Sequence, residues 1–288
     1  MPRAAGPELN PAALASPPVG GTSDRLARMR IAITYLWRHH CLPDLQNPRR
    51  FTEFVQHRKL FDRDPRLPVC SDKIAAKTYV ADRLGSDWVT PTLWQGDALP
   101  ANPVWPLPLV VKSRHGCTQR AFVRSSHDDW DAIRRRSGAW MAQPYGVWLD
   151  EWLYREIPRG LLVEPFIGAD GQLPVDYKLY VFAGQVACIQ VHLQRETRHR
   201  WMLFDRQWRR FSSPTRDADP ARPGSLDRMI EAAETLGQGF DFVRVDFYEI
   251  DGAPRFGEMT FYPGSGLDPF DPQEIDLMLG RLWAEARR

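Results

Sequence analysis

Lysine is scarce in this chain. Only five of the 38 basic residues are lysine (Lys59, Lys73, Lys77, Lys112 and Lys178); the rest are arginine. A sequence that writes its surface charge as arginine keeps lysine for what a planar guanidinium does poorly, above all a point contact to a phosphate oxygen. Cysteine is scarce too. Cys41, Cys70, Cys117 and Cys188 are scattered with no CxxC pair, which excludes a disulfide framework and a structural zinc site and suits a reduced compartment. One-sided charge is nearly missing, at +2 overall, too little for a protein whose main task is coating nucleic acid or an anionic membrane. No run approaches the roughly 20 apolar residues of a membrane span, and the opening MPRAAGPELN has no apolar signal core. The expectation is a cytoplasmic chain with no integral membrane segment and no nucleic-acid partner. What is present is ordinary for a folded protein: 288 residues, 43% hydrophobic and 26% charged, enough for one large domain or two to three lobes sharing a core.

Residues 1–23 are Pro, Ala and Gly with few large side chains, the composition of a disordered tail. Asp24 then offers an N-cap, and Leu26, Met29, Ile33 and Leu36 follow at helical spacing, predicting an amphipathic helix to about His40. A second helix opens after Asn47-Pro48 on Phe51, Val55 and Leu60. A third is predicted from Ser71 to Gly85, capped by Ser71 or Asp72. Past Pro91 come two short strands, Leu109–Lys112 and Ala121–Val123, around a loop with a single glycine, Ser113–Arg120. Residues 127–156 read as helical. Leu161–Ile167, Tyr177–Phe182 and Val186–His192 read as strands, 225–236 as a helix, 242–261 as a hairpin and 271–286 as a terminal helix. This order predicts an α+β fold divided into a helical segment (24–90), a small lobe (91–160) and a large lobe (161–288).

The hairpin carries the most chemistry. Val243, Val245 and Phe247 alternate with Arg244, Asp246 and Tyr248, and the return strand sets Glu258 and Thr260 on its polar side. With a three-residue turn, Asp251-Gly252-Ala253, Asp246 faces Glu258 and Arg244 faces Thr260. With a two-residue turn the acids fall on opposite faces. Facing carboxylates repel unless a cation lies between them. Mg²⁺ held by one or two carboxylates plus substrate phosphates is one solution, and Arg244 neutralising Asp246 on a solvated face is the other.

Taken together, the segments NPRRFTEF, KLFDRDP, SDKIAAKTYV, DYKLYVFAGQV, FVRVDFYEIDG and FGEMTFYPGSG resemble the TupA-like ATP-grasp family, over about residues 45–283. The resemblance implies an ATP-grasp fold, in which two α+β lobes enclose a nucleotide, here preceded by an N-terminal helical segment, with ATP and Mg²⁺ as cofactors. It implies that Lys73 and Lys112 contact phosphates and that Glu164 begins the hinge for adenine and ribose. Lys178 would reach the phosphates from the floor of the cleft. Asp246, Glu258 and Thr260 would ligate Mg²⁺, and Arg244 would stabilise the charge that develops in phosphoryl transfer. The implied activity is a carboxylate–amine ligase with a small-molecule or saccharide acceptor, in cell-surface polysaccharide biosynthesis. A sugar kinase, a glycosyltransferase and a non-catalytic nucleotide-binding scaffold are the alternatives.

Weaker signals complete the reading. Arg195, Arg198 and Arg200 could line the triphosphate or an anionic acceptor, and Arg114 and Arg120 could hold phosphate in a loop short of glycine. Trp140, Trp148 and Trp152 suit core or hinge packing better than sugar stacking, and leave a homodimer or a polysaccharide-assembly partner open. Asp128-Asp129-Trp130-Asp131 reads better as a helix start than as a glycosyltransferase metal motif. His115 and Cys117 lack a third partner for nucleophilic catalysis. His39 and His40 read as helix surface.

Overall fold

The structure, a computed structural model, describes residues 22–169, 172–194, 196, 199–214 and 218–288; nearly all of the expected N-terminal tail lies outside them. Four helices come first: α1 (Thr22–His39), α2 (Phe51–Phe61), α3 (Arg66–Ser71) and α4 (Ala75–Leu84). The helix expected over 71–85 is α4, which starts a few residues later, after the separate α3 ends at Asp72. This residue ends α3 with its N–H bonded to the Pro68 carbonyl, and its carboxylate then accepts from the Ile74 N–H at 2.9 Å to start α4. Asp72 is therefore a cap, as its residue type predicts, on a shorter helix.

Two antiparallel sheets follow. The smaller has the order β1 (Trp94–Gly96), β4 (Leu161–Pro165), β2 (Leu109–Ser113), β3 (Arg120–Val123). Leu161–Pro165 opens the large lobe in the sequence reading, but it pairs with both β1 and β2 and so completes the small sheet. Helix α5 (Trp130–Ala142) covers one face with Trp130 and Ile133, packed on Leu109, Val111, Ala121, Val123 and Val163. The period-2 rule puts Val110, Lys112, Phe122 and Glu164 on the other face, and all four line a cavity. A short helix, α6 (Leu153–Glu156), precedes β4.

The larger sheet has the order β7 (Arg200–Phe204), β6 (Gln185–Leu193), β5 (Asp176–Phe182), β8 (Phe242–Ile250), β9 (Ala253–Thr260). Leu226, Met229, Ile230, Ala233 and Leu236 recur at helical spacing on α7 (Leu226–Gly237) and are all buried. At about 1.5–3 kcal/mol per large side chain, this stripe holds α7 to the sheet. Gly237 lets α7 approach closely, because a Cβ there would lie 2.5 Å from Val181. The opposite face changes character along the strands. At one end Phe182 and Phe242 pack against Phe51 of α2 and Trp283 of α8 (Glu274–Ala286). At the other end the same face carries Lys178, Arg244 and Asp246. Below them, Tyr35 of α1 shares a 2.8 Å hydrogen bond with the Thr52 hydroxyl, which donates to Asp276 of α8 at 2.7 Å, so three helices are joined by a buried polar thread.

Candidate nucleotide and metal site

A cavity of about 420 Å³ lies between the two sheets, within the range of small-molecule sites. Its upper wall is basic. Glu164 on β4 is buried, and its two oxygens hold two lysines: Lys112 Nζ on β2 at 2.5 Å from Oε2, and Lys77 of α4 on Oε1. Burial pushes the Glu164 carboxyl up, but the two ammonium groups outweigh it and hold it below its usual range; burial also lowers Lys77 against the pull of Glu164. Lys73 lines the same wall and donates to the Gly116 carbonyl in the Ser113–Arg120 loop. Arg114 does not face the cavity. Its guanidinium binds both oxygens of the Asp72 carboxylate, at 2.5–2.8 Å, and ties the loop to the start of α4. The expectation that Arg114 holds phosphate is thus corrected: a 42-residue separation hid its partner. Arg120 does line the cavity.

The floor is acidic and more tightly knit. Lys178 on β5 binds Asp246 and lies 2.7 Å from Asp176 Oδ2. Arg244 grips Asp246 with two 2.7 Å bonds, donates to the Thr260 hydroxyl at 3.2 Å and lies 3.5 Å from Glu258. Asp246 pairs with Glu258, and Arg244 with Thr260, the pairing the sequence reading gives for a three-residue turn, but the turn is shorter. Ile250 pairs with Ala253, so the turn has two residues, Asp251 and Gly252, both at positive φ. A bulge then skips Gly257 opposite Asp246–Phe247 and restores the facing acids. A Cβ on Gly257 would lie 3.0 Å from the Asp246 carbonyl, which explains a glycine at the bulge.

Asp176, Asp246 and Glu258 against Lys178 and Arg244 leave the floor one net negative charge. Asp246 is nearly sealed; burial raises its carboxyl while Arg244 and Lys178 pull the other way. Glu258 keeps 39% of its side chain exposed, and its carboxyl is held below its usual range because Lys178, Arg244 and Lys73 outweigh burial. The donors are all oxygens, and among the described residues no group of three His, Cys, Asp or Glu is arranged to hold a metal by itself. Such a set fits Mg²⁺, which takes one or two carboxylates and completes its shell with phosphate oxygens and water. Of the three expected ligands Glu258 is the most available. Asp246 has one of its roughly four lone-pair sites left after accepting three bonds. Thr260 does not line the cavity, and its hydroxyl accepts from Arg244.

Other sequence expectations serve local structure or lie outside the described residues. Arg195 and Arg198 lie outside them. Asp129 caps α5, accepting from the Ala132 N–H at 2.8 Å, and Asp128 accepts from the Arg124 and Ser125 N–H groups, so this acidic run starts a helix. Cys117 meets Tyr154 at 3.0 Å, and His115 faces the Trp140 carbonyl instead of Cys117. Burial pushes the Cys117 thiol up to about 11, the wrong direction for a nucleophile. Sequence reasoning assigned no role to Lys77, although the rarity of lysine had marked it, nor to His192 and His199. These two meet at 2.9 Å and line the cavity beside Lys178.

A family model, TupA-like ATPgrasp, matches residues 53–284. No curated protein matches the sequence. Among solved structures, the chain is similar to the D-alanine–D-alanine ligase of Bacillus anthracis (13% identity, TM-score 0.47, covering 77% of this chain and 66% of that one). It is also similar to the L-amino acid ligase of Bacillus licheniformis (14%, 0.45, 76% and 50%). A third likeness is to the ATP-grasp ligase PsnB complexed with minimal precursor, Mg and ADP (14%, 0.44, 78% and 61%). The chain therefore spans two thirds or less of the length of each, and at such identities the likeness concerns the chain path and nothing chemical.

Proposed function

This chain belongs to the TupA-like ATP-grasp family, whose cofactors are ATP and Mg²⁺, and from that premise we propose that it is an ADP-forming ligase. It joins a carboxylate to an amine during assembly of a cell-surface polysaccharide. The observation that carries the reading is the opposition of charge across one cavity: Lys73, Lys77 and Lys112 on one wall, and Asp176, Lys178 and Glu258 on the other, backed by the buried Asp246 and Arg244.

The triphosphate brings about four negative charges; the three wall lysines less Glu164 keep a surplus of positive charge against it, and bound Mg²⁺ would add two more. Asp246 and Glu258 hold Mg²⁺, which when bound screens the phosphate oxygens. Arg244 is fixed by Asp246 and Thr260 before substrate arrives, so its charge is preorganised for the oxygens of the transferring phosphoryl group. A carboxylate oxygen of the substrate attacks the γ-phosphorus and ADP leaves. The amine nitrogen then attacks the acyl carbon, and phosphate leaves as the amine gives up a proton.

The test is product analysis over a panel of uronic acids, amino acids and amines. The ligase gives ADP and free phosphate in equal amounts, and only when carboxylate and amine are both present. ADP without free phosphate identifies a kinase, AMP contradicts the fold's usual chemistry, and nucleotide binding without turnover identifies a scaffold.

A further inference from the structure

Helix α1 is apolar on two sides. Ile31 and Tyr35 are buried against the body of the protein, so the inward face is not the one that carries the strongest periodicity. Leu26, Met29, Ile33, Leu36 and Trp37 recur at spacings of three, four and seven, the pattern of a single stripe. That stripe faces away from the body: Ile33 is 59% and Trp37 73% exposed, and Leu42, just beyond the helix, is 66% exposed. Scattered exposed apolar residues are normal, but five on one helix face are not. At 1.5 Å per residue the stripe runs about 16 Å from Leu26 to Trp37.

The helix's own charge is one-sided. Over its 18 residues α1 carries Arg25, Arg28, Arg30, Arg38 and His39 against one acid, Asp24. Arg38 lies over the Trp37 ring at 5.5 Å with Asp268 4.0 Å away, Arg28 lies over the Phe61 ring, and Arg25 is exposed beside the stripe. Arg30 is bonded to Asp150, which sets the exposed Val147 and Trp148 a few residues from the same flank. With Asp24, Asp150 and Asp268 set against the four arginines, the apolar edge keeps a small positive surplus, carried outward by Arg25.

From this edge we infer that α1 docks the protein in the plane of an anionic lipid surface, with the stripe in the headgroup–acyl boundary and the arginines on lipid phosphates. A second copy is the poorer occupant. Two α1 helices paired antiparallel about Ile33 set Arg25 near Arg38 and His40, and paired parallel they set each arginine on itself, so like charges meet in both arrangements. An anionic membrane answers both the apolar and the basic component, and tryptophan suits the interface. No described helix is long and apolar enough to cross a membrane, so the mode is surface attachment.

The test is flotation of the full chain with vesicles of phosphatidylcholine alone and of phosphatidylcholine mixed with phosphatidylglycerol, at low and high salt, without nucleotide. The expected result is co-flotation with the anionic vesicles that weakens with salt. Ile33→Glu/Trp37→Glu should lower the partition at least about tenfold, and Arg25→Glu by a smaller factor. Both variants alter exposed side chains and should keep the wild-type melting temperature. Three results overturn the inference: no co-flotation of the wild type; equal binding to both vesicle types; or a dimeric mass in vesicle-free solution that the double variant abolishes.

Discussion

The two walls of the cavity solve opposite electrostatic problems. On the small sheet one carboxylate, Glu164, is shared by two lysines, with Lys73 nearby, so the wall keeps a surplus of positive charge. On the large sheet two cations are shared among three carboxylates, and the floor keeps a surplus of negative charge. A single acid between lysines holds them in place and quiets their mutual repulsion without cancelling them, which suits a wall that receives an anion. Two bases among three acids do the converse, letting carboxylates stand close enough to receive a cation. The walls also differ in sealing: Asp246, Lys178 and Arg244 are buried, while the wall lysines are only partly covered. The floor should therefore be the more costly to disturb.

Removing Arg244 is the harshest way to break this contrast. Arg244→Met leaves Asp246 and Asp176 buried beside a single lysine, and unpairing a buried charge costs about 3–5 kcal/mol. Chemical denaturation should show a loss of that size together with loss of ATP turnover. A variant that keeps wild-type stability would mean that the floor is wetter than its geometry describes. Glu258→Gln should separate binding from stability. Its side chain faces the cavity and makes one long contact, so unfolding should shift by less than about 0.5 kcal/mol. Mg²⁺-dependent nucleotide binding, read by calorimetry, should nevertheless weaken about 10–100-fold. An equal loss in the presence and absence of Mg²⁺ would remove Glu258 from the metal.

The third change tests the backbone that brings the acids together, and it marks where the sequence was legible. The alternation in 242–250 and the acid spacing give the Asp246–Glu258 pairing for a three-residue turn, and the pairing occurs. It is reached by the other route, because pattern alone does not separate a three-residue turn from a two-residue turn followed by a bulge; both shift the return strand by one residue. Gly257 is the signal that distinguishes them. The small sheet pairs without any such shift. Gly257→Ala should cost about 2 kcal/mol by crowding the Asp246 carbonyl, and should weaken Mg²⁺-dependent binding as well; an unchanged melting curve would show that the bulge has room. On α1 periodicity revealed an apolar face but not which of two faces turns inward, because that choice is made by Thr52 and Asp276 in distant segments. The Arg114–Asp72 pair and the two lysines on Glu164 escaped for the same reason: each joins residues on separate elements, and nothing local to either residue announces the other.

The smallest effect concerns the upper wall and is read against pH. Glu164 has a folded pKa below the unfolded value near 4.5, because Lys112 and Lys77 outweigh burial. A carboxyl so shifted adds stability that is fully present above the unfolded pKa and is lost as pH falls through the folded one. Glu164→Gln should therefore be less stable than wild type by about 1 kcal/mol at neutral pH, the scale of a hydrogen bond to a charged group less the carboxylate desolvation that the amide avoids. The two denaturation curves should draw together as the pH drops below about 4.5. Asp246 on the floor has the opposite sign, since burial raises its pKa and its ionisation costs stability as pH rises. Wild type should then gain stability over Asp246→Asn as pH falls, the sense opposite to the Glu164→Gln series. A gap between Glu164→Gln and wild type that stays constant from neutral pH to pH 3 would mean that the lysines do not hold Glu164 ionised, and the upper wall would lose its surplus of positive charge as an explanation for binding an anion.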